Sequence, residues 1–242
     1  MLRVCTWNIN LGLRLDKILE AVTSRRDFAG LDLFALQEAS EHDGRTDGIA
    51  IAAALGPDYE CHQVTAQTVK GRVQANAMIW RGRKVRVRNV DYLTLPRSEK
   101  TRLAQTRNSV VVEGEVDRKP LLAYSIHLDI FGAAHKQGQL EHVLADCRNR
   151  PDADITVVAG DLNLYHLSRW PSWSKLIDAY QAAGFVDAAG SVRWTHSIPR
   201  LRVRQKLDSI LVRSSRELEM RSWTLQVDAS DHMPLFADLA TR

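Results

Sequence analysis

Six short segments of this sequence end an apolar run with polar residues that can bind a metal ion or a phosphate group. They are Thr6–Asn10, Leu36–Glu38, Ser125–Asp129, Ala159–Asn163, Lys206–Ile210 and Ser230–Leu235. Their carboxylates, amides and imidazoles can ligate divalent cations, donate to phosphate oxygens or carry protons. A sheet holds the backbone rigid at a strand end while the last side chains face solvent. The pattern predicts a site that binds metal and phosphate.

Each segment also has an ordinary structural explanation when it is taken singly. Strand alternation places Asp161 and Asn163 on one face, but Asp and Asn are also favoured in turns and at helix starts. Asp231 is a typical helix N-cap residue, and Glu38 is a typical solvated strand end. Six such segments in a fixed order favour the functional interpretation.

The order of these segments resembles that of a known superfamily. The matching residues are Asn8, Glu38, His127, Gly160–Asn163, Asp208 and Ser230–His232. On these residues the chain resembles the endonuclease/exonuclease/phosphatase superfamily, which includes DNase I-like nucleases, exonuclease III-like repair enzymes, sphingomyelinases and inositol polyphosphate phosphatases. The resemblance implies an α/β fold, namely a four-layer sandwich of two packed mixed β-sheets flanked by helices.

The resemblance also implies a divalent cofactor, Mg²⁺ or Mn²⁺. Glu38 would be the principal ligand, because carboxylate oxygens suit these hard cations. Asn8 and Asp231 would lie nearby as direct or water-mediated ligands. The implied reaction is attack of an activated water on phosphorus.

Five further residues have implied roles at the phosphate. Asp161 would orient or deprotonate the attacking water, and Asn163 would donate a hydrogen bond to the scissile phosphate. His232 would stabilise charge on the phosphoryl oxygens, with Asp208 accepting its other ring N–H and fixing its tautomer. His127 resembles a second phosphate-facing histidine. Repair-type abasic endonucleases have a tyrosine at this position, so the histidine favours the other branches.

Periodicity and turn signals predict the strands and helices that carry these residues. Predicted strands are Leu2–Trp7, Leu31–Leu36, Ala75–Trp80, Val85–Leu95, Ser109–Val116, Leu121–Ile126, Ile155–Ala159, Arg200–Val212, Leu218–Val227 and Leu235–Leu239. Predicted helices are Arg14–Arg25, Asp47–Leu55, Ala133–Cys147 and Trp173–Ala183. Strands and helices that mix without strict alternation are typical of an α/β sandwich of layered sheets.

Composition narrows the class of protein. The chain has 242 residues, of which 45% are hydrophobic and 26% charged, which is typical of a globular domain and not of a disordered or fibrous chain. We expect one catalytic domain over residues 1–242. Three cysteines favour reduced thiols over a disulfide framework. Without a leader or membrane-spanning stretch in the sequence, we expect a cytoplasmic protein with no obligate protein partner.

Two local features bear on the substrate. Arg200, Arg202, Arg204 and Lys206 alternate with other residues up to Asp208. On one continuous strand these cations would share a face with Asp208 and would bind a phosphate chain or several phosphates on one small molecule. An edge strand protected by charge gives the same pattern. Leu164–Trp173 is rich in aromatic residues, which either stack a base or anchor the loop.

Nucleic acid is therefore the preferred substrate class, cut by an endonuclease or exonuclease activity. The net charge of +4 agrees with an anionic partner but is small. A phosphodiesterase or phosphatase acting on a small-molecule or phospholipid phosphoester is the alternative. A binding module without catalysis is the second alternative, but such a protein normally lacks Glu38, Asp161 or His232, and all three are present.

Overall fold

Two six-stranded mixed sheets pack face to face, and two helices cover the outer face of each. A computed structural model of the protein describes residues 1–69, 71–98, 105–164, 171–198 and 203–241. The architecture is the predicted α/β sandwich. None of the helices in these ranges has the length and apolar character needed to cross a bilayer.

The first sheet contains the N-terminal strand near its centre. In spatial order its strands are β15 (Leu218–Thr224), β16 (Leu235–Thr241), β1 (Leu2–Asn8), β2 (Leu33–Ala39), β6 (Arg72–Arg81) and β5 (Tyr59–Val69). β1 and β2 run parallel, and the other neighbouring pairs are antiparallel. Parallel β1 and β2 bring the ends of both strands to the same edge.

The second sheet repeats this arrangement. In spatial order its strands are β11 (Val186–Asp187), β14 (Asp208–Ser214), β10 (Ile155–Asp161), β9 (Lys119–His127), β8 (Asn108–Val116) and β7 (Val85–Thr94). Only β9 and β10 run parallel among these pairs. Two short ribbons complete the described strands: β3 (Glu41–His42) with β4 (Arg45–Thr46), and β12 (His196–Ile198) with β13 (Val203–Gln205).

Three apolar clusters correspond to the three interfaces between layers. The central cluster joins the sheets through residues such as Val4, Met78 and Val157. Helices α1 (Leu15–Ser24) and α2 (Asp47–Leu55) pack on the first sheet. Helices α3 (Ala133–Asn149) and α4 (Pro171–Ala182) pack on the second. Because both faces of each sheet are covered, central strands are apolar on both faces and read as continuous runs in the sequence.

One predicted strand is divided in the structure. A single strand over Arg200–Val212 is wrong, because β13 ends at Gln205 and β14 begins at Asp208. The backbone N–H groups of Leu207 and Asp208 donate to Thr195 Oγ1 at 3.0 and 3.1 Å. A side-chain oxygen here replaces a strand partner, so the alternation of side chains is interrupted.

β5 is a strand that the sequence pattern does not predict. It pairs with β6 at the sheet edge and carries polar residues such as His62, Gln63 and Thr65. An edge strand with one solvated face needs no apolar run, so periodicity gives a weak signal there.

Gly160 offers a test of how closely β9 and β10 approach. A Cβ at this position would lie 1.9 Å from the carbonyl oxygen of Ile126. We expect Gly160→Ala to lower the free energy of unfolding by about 1–3 kcal/mol, because the strand must shift to relieve the clash. On α3, a Cβ added at Gly138 would meet no described atom within 4 Å other than the backbone of its own helix. Gly138→Ala should therefore raise the free energy of unfolding by about 0.5–1 kcal/mol. Urea unfolding measures both, and equal midpoints for Gly160→Ala and wild type would contradict the packing.

Candidate active site

The polar residues predicted from strand ends meet at one edge of the two sheets. Asp161 ends β10 and is in register with His127, the last residue of β9, and with Asp208, the first of β14. Asn8 ends β1 in the other sheet, and its Nδ2 donates to Asp161 Oδ2 at 3.0 Å. All four side chains are buried. One polar cluster therefore connects residues that are 153 positions apart in the chain.

His232 is held as a charged imidazolium by two carboxylates. Its Nδ1–H donates to Asp208 Oδ2 at 2.9 Å, and its Nε2 lies 3.8 Å from Asp161 Oδ2. Burial opposes the charge, but Asp208 and Asp161 outweigh it and raise the pKa of His232 to about 10. The indole N–H of Trp7 donates to the His232 carbonyl at 2.9 Å. The ring is therefore fixed in orientation and positively charged at neutral pH.

Asp161 is the carboxylate at the centre of the cluster. It accepts from Asn8 and, through Oδ1, from the backbone N–H of Asn163 at 2.8 Å. Burial raises the pKa of Asp161 to about 6, and the charge of His232 offsets this only in part. A buried carboxylate whose pKa lies close to neutrality can accept a proton from water near neutral pH.

Asn163 follows the β10 strand in a left-handed conformation with φ of 50°. Its Nδ2 donates to the carbonyl of Leu128 at 2.9 Å. Its own carbonyl accepts from Lys136 Nζ at 2.7 Å. Lys136 is a buried lysine on α3 that belongs to none of the sequence motifs. Its hydrogen bond connects α3 to the backbone of Asn163.

Glu38 lies at an irregularity of β2, where the pairing with β6 shifts between Leu36 and Ala39. Its φ is 53°, a left-handed conformation that is uncommon for a residue with a side chain. Its Oε1 lies 4.0 Å from His127 Nε2. The bulge directs the Glu38 side chain to the sheet edge, where the cluster lies.

Glu38, Asn8 and Asp231 fit a hard divalent cation. Burial raises the pKa of Glu38, and the charges of Arg107 and His232 offset this only in part, while Asp231 raises it further. The negative charges of Glu38 and Asp231 therefore act against each other. Their oxygens and the amide of Asn8 are the donor types that Mg²⁺ and Mn²⁺ take, and a cation would relieve the repulsion.

His127 is a neutral imidazole with a fixed tautomer. Arg107 Nη1 lies 2.9 Å from His127 Nδ1, and a guanidinium can only donate, so Nδ1 must be the acceptor. The proton is then on Nε2, which lies 3.6 Å from Asp161 Oδ2. Burial lowers the pKa of His127 well below its usual range, and Arg107 and His232 act in the same direction. His127 is therefore a neutral donor into the cluster.

Arg107 is a site residue that does not lie at the end of a predicted strand. It immediately precedes β8, which runs antiparallel to β9. An antiparallel strand begins at the edge where its neighbour ends, so polar residues before such a strand reach the same edge. Arg107-Asn108 before an apolar strand is the signal in the sequence.

Replacing Arg107 tests the tautomer assignment. We expect Arg107→Met to reduce kcat by about 10–100-fold, the usual effect of losing a partner that orients a histidine. Nitrogen NMR of His127 should show a mixture of tautomers in this variant. Arg107→Lys is the control, because an ammonium also only donates and should preserve the Nε2–H form. A single unchanged tautomer in Arg107→Met would contradict the assignment.

Asp231 has a side chain that is 48% exposed and lies beside a histidine that no motif includes. His196 Nε2 is 3.6 Å from Asp231 Oδ2. Partial burial opposes ionisation, but the nearby His196 and the charge of His232 lower the pKa of Asp231 to about 2. Thr195, the neighbour of His196, accepts from Asp208 N–H and through its carbonyl from Met233 N–H. Thr195 and His196 are brought to the site by the pairing of β12 with β13 and by its bridge to His232.

Of the predicted basic stripe, the structure describes Arg204 and Lys206, and these two have different surroundings. Arg200 and Arg202 lie outside the described residues, as do Tyr165 and Trp170 of the aromatic segment Leu164–Trp173. Arg204 is exposed, with its guanidinium 4.6 Å from the ring centroid of Trp194. Lys206 donates to Asp187 Oδ2 and to the carbonyl of Ala189 at 2.7 and 2.6 Å. Lys206 lies in the interruption between β13 and β14 and pairs with Asp187. Asp208, the first residue of β14, pairs with His232 instead.

Comparison of the sequence with families of known proteins gives one match. A profile described as the Endonuclease/Exonuclease/phosphatase family matches residues 5–232. No curated protein matches the sequence significantly.

Solved structures with a similar fold cover nearly all of the chain. An endonuclease/exonuclease/phosphatase family protein from Leptotrichia buccalis is 14% identical with a TM-score of 0.76, covering 99% of this chain and 100% of that one. A mannosyl-6-phosphatase from Bacteroides thetaiotaomicron is 17% identical with a TM-score of 0.74, covering 99% and 100%. D. rerio TDP2 complexed with single strand DNA product is 17% identical with a TM-score of 0.76, covering 99% of each chain. At these identities the likeness concerns the fold.

Proposed function

The chain belongs to the endonuclease/exonuclease/phosphatase family, and we propose that residues 1–242 form one catalytic domain that hydrolyses phosphodiesters in nucleic acid with Mg²⁺ or Mn²⁺. Members of this family are phosphoester hydrolases, which supports that reaction class. The observation that carries the proposal is the buried Asp208–His232–Asp161 arrangement, with a charged imidazolium 3.8 Å from a carboxylate.

The proposed reaction uses these side chains at the attacking and phosphoryl oxygens. Asp161 takes a proton from water as the water oxygen forms a bond to phosphorus, and the bond to the leaving oxygen breaks. His232 Nε2–H and neutral His127 Nε2–H donate to the phosphoryl oxygens, where negative charge increases. Asn163 supplies a further donor, and the leaving oxygen takes a proton from solvent. A cation held by Glu38, with Asn8 and Asp231, would neutralise phosphoryl charge.

Two observations support nucleic acid as the substrate class. Arg204 presents an exposed guanidinium stacked on Trp194, a combination that suits phosphate and base contacts. A structure of similar fold, that of D. rerio TDP2, contains a single strand DNA product. The mannosyl-6-phosphatase of similar fold keeps a small-molecule phosphoester as the second candidate.

A substrate panel separates these candidates. Single-stranded DNA, plasmid DNA, RNA, bis-p-nitrophenyl phosphate, p-nitrophenyl phosphate and a phospholipid head-group ester would be assayed with Mg²⁺ and Mn²⁺. An Asp161→Asn/His232→Gln protein is the control for contaminating activity. Cleavage of DNA or RNA that the control lacks supports the proposal. Turnover confined to a monoester or small ester supports the second candidate. Inactivity on every substrate would instead support a binding module without catalysis.

Arg204 provides a test of the polyanion contact. We expect Arg204→Glu to raise KM for DNA or RNA, and to reduce the slope of log KM against log salt by about one, because one phosphate contact is lost. Bis-p-nitrophenyl phosphate, which has no chain, should be hydrolysed as before. Arg216→Glu is the matched control, since Arg216 is exposed at the opposite end of β14. Equal salt slopes for Arg204→Glu and wild type would show that Arg204 only protects the ribbon.

A further inference from the structure

Two histidines and an aspartate converge beside the proposed catalytic cluster. One ligand atom from each of His196, Asp231 and His232 can be chosen so that all three lie within 4.8 Å of one another. β12 brings His196 there through an isolated bridge to His232, and the two rings are 4.6 Å apart between centroids. His196 belongs to no sequence motif and has no part in the proposed reaction.

The donor atoms are already oriented. His232 Nδ1 is engaged by Asp208, which leaves Nε2 as its coordinating atom. A carboxylate bound to the far nitrogen of an imidazole is the usual partner of a metal-ligating histidine. His196 Nε2 is directed at Asp231 Oδ2, 3.6 Å away, so that an ion between them would contact both.

The ligand set selects a class of metal. Two imidazoles and one carboxylate, with a position left for water, are the ligands of a four-coordinate Zn²⁺ site. Mg²⁺ takes oxygen ligands in octahedral geometry and is poorly served by two imidazoles. Both rings are buried, while the Asp231 side chain is half exposed, so an ion can enter from the Asp231 side.

We propose that His196, Asp231 and His232 bind Zn²⁺ and that this binding inhibits the enzyme. The inhibition rests on the proposed function, because the ion would occupy His232 Nε2, the proposed phosphate donor, and would share Asp231 with the catalytic cation. The ion must also displace the proton on His232, so affinity should be lower than at a site with two neutral histidines. Binding itself does not depend on the reaction.

Metal binding is measured first, without substrate. Co²⁺ is the spectroscopic probe, since four-coordinate Co²⁺ gives strong visible absorption, and Zn²⁺ affinity follows from its displacement. We expect His196→Gln to weaken binding of both ions at least about 10-fold. His42→Gln is the matched control, because His42 Nε2 also lies near an aspartate, 3.7 Å from Asp47 Oδ1. It should bind both ions as wild type does.

Inhibition is measured second, at saturating Mg²⁺ on the best substrate of the panel. The Zn²⁺ concentration for half inhibition should rise at least about 10-fold in His196→Gln and stay unchanged in His42→Gln. Equal inhibition of His196→Gln and wild type, or Co²⁺ spectra independent of His196, would overturn the site while leaving the hydrolase intact. His196-dependent Co²⁺ binding by a protein inactive on every substrate would support the site and refute the proposed function.

Discussion

Replacing His232 with glutamine should lower kcat by about 10²–10³-fold, because the variant loses the positive charge that would face the phosphoryl oxygens in the proposed reaction. KM should change far less, since the charge on those oxygens increases only in the transition state. Glutamine is chosen because its amide can still donate to Asp208. An alanine would leave Asp208 as an unpaired buried charge, which costs about 3–5 kcal/mol of stability. Steady-state kinetics and thermal unfolding distinguish the two effects.

Asp208 provides the control, because the proposed reaction assigns it a role only through its hydrogen bond with His232. Asp208→Asn should lower kcat as well, since His232 loses the carboxylate that favours its charged form. The double variant Asp208→Asn/His232→Gln should be no slower than His232→Gln alone, as expected for residues that act as a unit. Additive losses in the double variant would mean that Asp208 has a separate role, and near wild-type turnover by His232→Gln would refute the mechanism.

Replacing Asp161 with asparagine should lower kcat by about 10²–10⁴-fold, the range expected when a general base is removed. The two donors bind different oxygens of Asp161, namely Asn8 Nδ2 at Oδ2 and the Asn163 N–H at Oδ1. The single amide oxygen of asparagine therefore keeps one of these hydrogen bonds and loses the other, so thermal unfolding is measured beside the rate. Burial raises the pKa of Asp161 to about 6, and the carboxylate is therefore protonated below that pH. The wild-type rate should fall as pH decreases through about 6, and the residual rate of Asp161→Asn should lack this decline.

Asp47→Asn is the matched control for Asp161→Asn. Asp47 is also a buried carboxylate whose pKa is raised by burial, and it accepts from the Ser40 N–H at 2.7 Å outside the cluster. It should keep the wild-type rate and pH profile. An acid decline that persists in Asp161→Asn would assign the titration to another group and contradict the general-base role.

The strand ends were accessible from the sequence because both sheets are covered on both faces. Central strands such as β1 and β10 then consist of apolar residues until they reach the solvent, so the first polar residue marks the edge. For this reason the sequence alone predicts that Asn8, His127 and Asp161 lie at strand ends. The same reasoning fails for β5, whose polar residues are compatible with an edge strand but do not predict one.

Residues that approach the site from the other direction were decided by the tertiary structure. Arg107 precedes an antiparallel strand, and His196 reaches His232 through a bridge between two short segments. Neither position has a periodicity or spacing that relates it to the motifs. The interruption of the Arg200–Val212 segment likewise depends on Thr195, a distant side chain that accepts two backbone N–H groups.

The kinds of chemical groups and the strand ends at which they lie can be derived from the sequence, because strand periodicity is a local property. Their protonation states and hydrogen-bond partners depend on the tertiary structure. Arg107 fixes the His127 tautomer across 20 positions, Asp208 stabilises the charge of His232 across 24, and Asn8 reaches Asp161 across 153. Electrostatic interactions of this kind depend on distance and burial in space. The packing of the two sheets sets both of these quantities.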